Sequence, residues 1–160
     1  MATLDITPIA GALGAEISGV RLSEELSNTE FDEIHQAFLD HHVIFFRGQA
    51  GLTPEAQKRF ARRFGSLNVH PYVKGMDGHP ELLEIIKEPD DKLNFGGGWH
   101  SDMSFLEEPA LGSILYGVEV PDYGGDTLFA NQIAAYEALS DGMKEMLGGL
   151  NAVHSASREY

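Results

Sequence analysis

The segment that most constrains this chain is Trp99-His100-Ser101-Asp102-Met103-Ser104-Phe105, because it places a histidine and an aspartate two residues apart. On an extended chain, residues i and i+2 point to the same side, roughly 6.5–7 Å apart along the strand. His100 and Asp102 can therefore chelate one metal ion between them. A nitrogen ligand with a hard oxygen ligand suits Fe(II), Mn(II) or Zn(II), and the facial triad of two histidines and one carboxylate leaves positions open for reactants.

The surroundings distinguish this pair from a chance match. A loop over residues 88–98, rich in glycine at its end, precedes it, and loops of that length in compact domains are often functional. Met103, Phe105 and Leu106 follow it, and a polar pair among apolar residues is costly to bury without a partner or a metal. The alternative is a surface histidine beside a solvated aspartate.

Local signals on both sides of the segment predict helices. Ser27 stands three residues before Glu30, which is a capping-box spacing, and apolar residues then repeat at i, i+3 and i+7. A later proline occupies a first helical position. The predicted helices cover residues 28–40, a stretch from Thr53-Pro54-Glu55 to Gly65, and residues 132–148 with a break near Ser140-Asp141-Gly142.

Short apolar or β-rich runs before, between and after these helices predict strands. They lie at residues 15–20, 43–46, 82–86, 113–120, 127–129 and 150–154. This order of elements favours a mostly β fold, with an antiparallel core and flanking helices, over a doubly wound sheet.

Composition limits the classes of function. The chain has 160 residues, which fits a single domain over residues 1–160, and its formal net charge of −14 argues against binding nucleic acid or an anionic membrane surface. It has no cysteine, so disulfides and cysteine-based metal sites are excluded. The N-terminal residues lack a signal-peptide pattern and no apolar run could span a bilayer. A cytoplasmic location is therefore the expectation.

Several ordered motifs make the chain resemble the taurine dioxygenase family, which includes the 2,4-dichlorophenoxyacetate and alkylsulfate dioxygenases. The segment around His100 looks like that family's W-H-x-D-x-(S/T)-F motif. The resemblance extends over almost the whole chain, through Ile6-Thr7-Pro8, Gly14 to Val20, His42 to Arg47, Phe64-Gly65 to His70-Pro71, Gly124-Gly125-Asp126-Thr127-Leu128-Phe129 and Ala134 to Ser140.

The resemblance implies a fold and a reaction. The fold would be a double-stranded β-helix, which is a jelly-roll variant. Fe(II) would be the cofactor, 2-oxoglutarate the co-substrate and O2 the oxidant. The substrate would be a small anionic organic acid (a sulfonate, a sulfate ester or an aryloxy or other carboxylate), hydroxylated with release of succinate and CO2. A homo-oligomer is compatible with the family.

The resemblance also assigns roles to individual residues. His100 and Asp102 would be iron ligands, and Thr127 would bind the distal carboxylate of 2-oxoglutarate, although it also fits an ordinary strand residue. His70 would bind the anionic group of the substrate, or alternatively cap a turn before Pro71. Weaker candidates for the substrate pocket, each equally consistent with plain packing, are Tyr72, Asn94, Met103 and Tyr160.

The chain departs from the family pattern in two ways. The family's second histidine ligand and its 2-oxoglutarate-binding arginine lie far beyond this segment, and after residue 102 the chain offers only His154 and Arg158. We therefore expect the chain to be the N-terminal portion of an incomplete jelly roll, without the C-terminal portion and inactive alone. Gly96 stands where the taurine enzymes carry asparagine, so taurine itself is not the expected substrate.

Two other functions remain open from the residues alone. The chain could be a pseudo-enzyme or binding module that keeps the fold. It could also belong to a hydrolase-like or isomerase cupin that uses Zn(II) or Mn(II). Metal content and 2-oxoglutarate turnover distinguish these alternatives.

Overall fold

A small sheet at the start of the chain is the first element of the computed structural model, which describes residues 4–92 and 95–156. The sheet has the order β1-β2-β3, with β1 at Asp5–Pro8, β2 at Ala15–Ser18 and β3 at Ile44–Phe45. β1 and β2 are antiparallel, with Ile6 opposite Ile17. β2 and β3 are parallel, so the chain between them must cross over, and a helix makes that crossing.

Helix α1, Asn28–His41, is this crossover, and its start confirms the predicted capping box. The Ser27 side chain accepts a hydrogen bond from the Glu30 amide, while the Glu30 side chain accepts one from the Ser27 amide. The buried face of α1 includes Phe31 and Ile34. Ile34 and Ile17 of β2 are the largest fully buried side chains among the described residues, so the core lies between α1 and the sheet.

The other predicted helices are also present. Helix α2 covers Pro54–Ala61 and buries Ala56 and Phe60, but it ends before Gly65 in a series of turns. The predicted break near residues 140–142 is confirmed, because helix α3 spans Gln132–Glu137 and helix α4 spans Asp141–Gly148, with Ser140 as the N-cap of α4.

The chain divides into two compact units. The first unit comprises residues 1–57 and 115–151, and the second comprises residues 58–114 and 152–160. The single-domain interpretation stays a prediction. In the part of the chain that the structure describes, no helix is long and apolar enough to cross a membrane.

Most of the predicted strands are absent from the described residues, so the expectation of a mostly β chain is corrected. Residues 82–86, 113–120, 127–129 and 150–154 have no strand structure. Leu115 and Val118 are 76% and 86% exposed. An extended run becomes a strand only when a neighbouring strand takes its backbone hydrogen bonds, and the sheet of the described residues has only its three short strands. The described part of the chain therefore does not show the jelly-roll core.

Candidate metal centre

His100 and Asp102 lie together in the second unit. The His100 Nε2 atom is 3.0 Å from the Asp102 Oδ1 atom, and the two side chains are 51% and 59% exposed. The extended geometry of residues 100–102 stays a prediction, because residues 100 and 101 have no regular structure and residues 102–105 form a turn. A 3.0 Å hydrogen bond from the Leu106 amide to the Met103 carbonyl closes this turn. Met103 has φ 54°, which is uncommon for a residue with a side chain. The two side chains thus meet beside a turn rather than along a strand.

The other ring nitrogen of His100 determines what can lie between the pair. His100 Nδ1 is 2.7 Å from the Gly98 carbonyl oxygen, and a carbonyl only accepts hydrogen bonds, so Nδ1 must carry a proton. A neutral ring then has a bare lone pair on Nε2, facing a carboxylate oxygen that is also an acceptor. A second proton or a cation must therefore lie between Nε2 and Oδ1.

This geometry fits a metal ion such as Fe(II). Both atoms could hold one cation between them, because His100 Nε2 and Asp102 Oδ1 are 3.0 Å apart. The hydrogen bond from Nδ1 to a backbone carbonyl is the usual means of fixing the tautomer of a metal-binding histidine. The donor set of imidazole nitrogen and carboxylate oxygen suits Fe(II) and Mn(II).

The glycine-rich loop makes room for the His100 ring. Gly96 has φ +66°, and a Cβ atom on it would lie 3.1 Å from His100 Cε1. Gly98 supplies the carbonyl that accepts from His100 Nδ1. The sequence pattern identified this loop as functional, but it gave no indication that one glycine lies against the ring and another orients it.

Among the residues that the structure describes, no group of three His, Cys, Asp or Glu side chains could hold a metal. His154 therefore forms no such group with His100 and Asp102, and its Nδ1 atom lies 2.9 Å from the Ser104 hydroxyl. Ser113, which the sequence analysis did not identify, donates a 3.0 Å hydrogen bond to Asp102 Oδ2. The described centre therefore offers two candidate protein ligands and one polar neighbour of the carboxylate.

His70 lies in the same unit and its ring is held by the backbone. Its Nδ1 atom accepts hydrogen bonds from the amides of Tyr72 (3.2 Å) and Val73 (3.0 Å), as the turn-capping alternative predicts. Nδ1 therefore carries no proton, and Nε2 is the donor of the neutral ring. The Tyr72 ring lies 6.3 Å from the His70 ring and 5.9 Å from the ring of Phe105, so Tyr72 links His70 to the His100 segment.

The remaining predicted residues are less informative. Thr127 is exposed, in the first unit, in a segment without regular structure. Met103 is half-buried at the turn after Asp102. Asn94 and Tyr160 lie outside the described residues.

Comparison with known proteins gives consistent matches. Residues 5–160 match the family described as taurine catabolism dioxygenase TauD, TfdA family. An alpha-ketoglutarate-dependent sulfate ester dioxygenase of Pseudomonas putida is 41% identical over 98% of this chain and 51% of its own length. An alkylsulfatase of Acinetobacter baylyi is 40% identical over 98% of this chain and 49% of its own. The chain thus spans about half the length of the curated relatives it matches.

A solved structure agrees with the sequence matches. The crystal structure of a taurine dioxygenase from Burkholderia xenovorans superposes with a TM-score of 0.77 at 36% identity, over 92% of this chain and 52% of that chain. At this identity the two proteins are similar in sequence as well as in fold.

Proposed function

Since this chain belongs to the taurine catabolism dioxygenase TauD, TfdA family, we propose that the complete protein is an Fe(II)- and 2-oxoglutarate-dependent dioxygenase acting on a small anionic organic substrate. The observation that carries the proposal is the 3.0 Å approach of His100 Nε2 to Asp102 Oδ1. With Nδ1 committed to the Gly98 carbonyl, either a proton or a cation must lie between the two atoms, and we assign this place to the metal ion.

The residues of this chain bind and orient, while the metal with 2-oxoglutarate and O2 supplies the oxidative chemistry when bound. His100 and Asp102 are proposed as two of the ligands. Thr127 is proposed to bind the distal carboxylate of 2-oxoglutarate. In the complete protein we also propose the jelly-roll core, a cytoplasmic location and pocket roles for Tyr72, Asn94, Met103 and Tyr160.

His70 is proposed to recognise the anionic group of the substrate. Because its Nδ1 atom accepts from two backbone amides, Nε2 is the ring nitrogen that would donate to a substrate oxygen. A donor of this kind suits the oxygens of a sulfate, sulfonate or carboxylate. The turn-capping role and the substrate role use different nitrogens, so they are compatible.

Sulfate esters are the proposed substrate class, because two similar relatives are described as a sulfate ester dioxygenase and an alkylsulfatase. Hydroxylation at the carbon that bears the ester oxygen puts one atom of O2 in the substrate and the other in succinate, with loss of CO2. The hydroxylated carbon then expels sulfate and becomes an aldehyde. Sulfonates and aryloxy carboxylates are the alternatives within this class of reaction.

The test measures succinate and aldehyde formed by the complete protein from 2-oxoglutarate, O2 and a medium-chain alkyl sulfate. We expect activity with Fe(II) and none with Zn(II) or Mn(II). His100→Ala should lose turnover and weaken metal binding more than about 100-fold, the upper end for loss of an outer-shell partner. Unchanged iron content in His100→Ala would contradict the ligand assignment.

The same assay separates the other functions. A pseudo-enzyme would bind metal without forming succinate, and a hydrolase-like or isomerase enzyme would be active with Zn(II) or Mn(II) without consuming 2-oxoglutarate.

For His70→Ala we expect a higher KM for alkyl sulfate, while 2-oxoglutarate is still consumed without product. An unchanged KM for sulfates, sulfonates and carboxylates would leave His70 only its turn-capping role.

A further inference from the structure

The two carboxylate oxygens of Asp102 have different partners. Oδ1 lies 3.0 Å from His100 Nε2, and Oδ2 lies 3.0 Å from the Ser113 hydroxyl. An ionised carboxylate only accepts hydrogen bonds, so the Ser113 hydroxyl must be the donor. The direction of this hydrogen bond therefore follows from chemistry alone.

We propose that Ser113 is a positioning residue for Asp102, which rests on the proposed function of Asp102 as a metal ligand. The terminal torsion of an aspartate side chain is broad, so the plane of the carboxylate is not fixed by its own covalent geometry. The hydrogen bond to Oδ2 fixes that plane and turns Oδ1 towards His100. Asp102 then binds metal through a single oxygen.

The location of Ser113 explains how it can hold this orientation. It lies eleven residues after Asp102, beyond the turn at residues 102–105 and in the same compact unit. Met103, next to Asp102, has φ 54°. Because Ser113 lies outside the Asp102 segment, its contact depends less on this local conformation than a contact within the segment would. Outer-shell donors to metal-bound carboxylates typically affect metal affinity 10- to 100-fold.

The experiment measures the Kd of Mn(II), read from the EPR signal of the free ion, for the metal-free complete protein and its variants. Thr and Val have similar shapes and differ in the hydroxyl. We expect Ser113→Thr to retain the wild-type Kd, and Ser113→Val and Ser113→Ala to weaken it about tenfold, the lower end of the usual range because the site is half-exposed. Ser66→Ala, which removes an exposed serine of the same unit, should leave the Kd unchanged.

The thermal unfolding temperature of each metal-free variant provides the second readout. A merely structural role for Ser113 would lower this temperature without separating Thr from Val in metal binding, and that result overturns the proposal. If the wild-type protein binds Mn(II) and all Ser113 variants bind it equally well, the role of Ser113 is overturned and the metal centre is not. A wild-type protein that binds no Mn(II) overturns the metal centre and the Ser113 role together.

Discussion

At the scale of single residues, His100 is held by acceptors on both sides of its ring. The Gly98 carbonyl lies 2.7 Å from Nδ1, and the Asp102 carboxylate lies 3.0 Å from Nε2. Each acceptor needs a hydrogen-bond donor or a cation facing it. A neutral imidazole ring donates a proton on only one side. The geometry therefore places either a proton or a cation between Nε2 and Oδ1, and a metal ion bound there would take the place of that proton.

Gly96 provides the sharpest residue-scale prediction. Because an added Cβ would lie 3.1 Å from His100 Cε1, Gly96→Ala must push the ring by a few tenths of an ångström, and we expect its Mn(II) affinity to fall about tenfold, as for an outer-shell change. The positive φ of Gly96 should also lower stability by about 1 kcal/mol. Metal titration and thermal unfolding of the complete protein measure the two effects.

Gly98→Ala is the matched control for this prediction. An added Cβ at Gly98 meets nothing within 4 Å, and alanine keeps the carbonyl that accepts from His100 Nδ1. We expect near wild-type metal affinity. Equal losses in the two variants would show that the loop is merely sensitive to side chains and that the contact with His100 is not the cause.

The residue pattern predicted the pairing of His100 with Asp102, but not the contacts around it. Residue type and spacing are local information, and they were sufficient to bring the two side chains within 3.0 Å, although by a turn rather than a strand. The contacts of Ser113 with Asp102 and of His154 with Ser104 span 11 and 50 residues. Serine and histidine at such separations carry no local signal, so only the folded chain reveals them.

At the scale of elements, the capping box of α1 links stability to pH. The Ser27 hydroxyl donates to Glu30 Oε2 at 2.7 Å and the Ser27 amide at 2.8 Å. These bonds, first the side-chain bond and then the backbone bond, hold the pKa of Glu30 below its ordinary value of 4.5. A lowered pKa in the folded state means that this stabilisation is complete above the unfolded pKa and is lost as pH falls through the folded pKa.

We therefore expect Ser27→Ala to lower the free energy of unfolding by about 1 kcal/mol near neutral pH. The difference from wild type should shrink as the pH falls below 4.5, because the lowered pKa of Glu30 makes it become protonated in the folded protein only below that value. Urea unfolding at several pH values measures it. Glu30→Gln keeps an acceptor without the charge and should remove the pH-dependent part, whereas a Ser27→Ala difference that is constant down to the acid limit would contradict the linkage.

Helices were predicted more accurately than strands for a physical reason. The hydrogen bonds of α1 join residues four apart, and its cap and apolar face are visible over fourteen consecutive residues. A strand takes its hydrogen bonds from another segment. Residues 82–86 and 113–120 have the composition of strands but no strand partner among the described residues, so their propensity is not expressed as a sheet.

At the scale of the whole molecule, the buried core and the candidate metal centre lie in different units. All the buried apolar side chains of the described residues except Phe60 belong to the first unit. His100 and Asp102 belong to the second unit and are half-exposed. The site therefore has little surrounding core of its own, and its rigidity depends on the turn, the glycine-rich loop and the few polar contacts described above.

The last prediction concerns residues 1–160 expressed by themselves. The described residues offer no group of three metal-binding side chains, and two ligands hold metal poorly. Leu115, Val118 and Tyr123 are 76%, 86% and 90% exposed, and extensive exposed apolar surface favours association with other surfaces. We expect the isolated chain to form no succinate, to bind Mn(II) more than tenfold more weakly than the complete protein, and to enhance the fluorescence of a hydrophobic dye. The complete protein in the same buffer is the control. Succinate formed by the isolated chain at a rate comparable to the complete protein would show that the metal centre needs no further ligand, and would overturn the prediction.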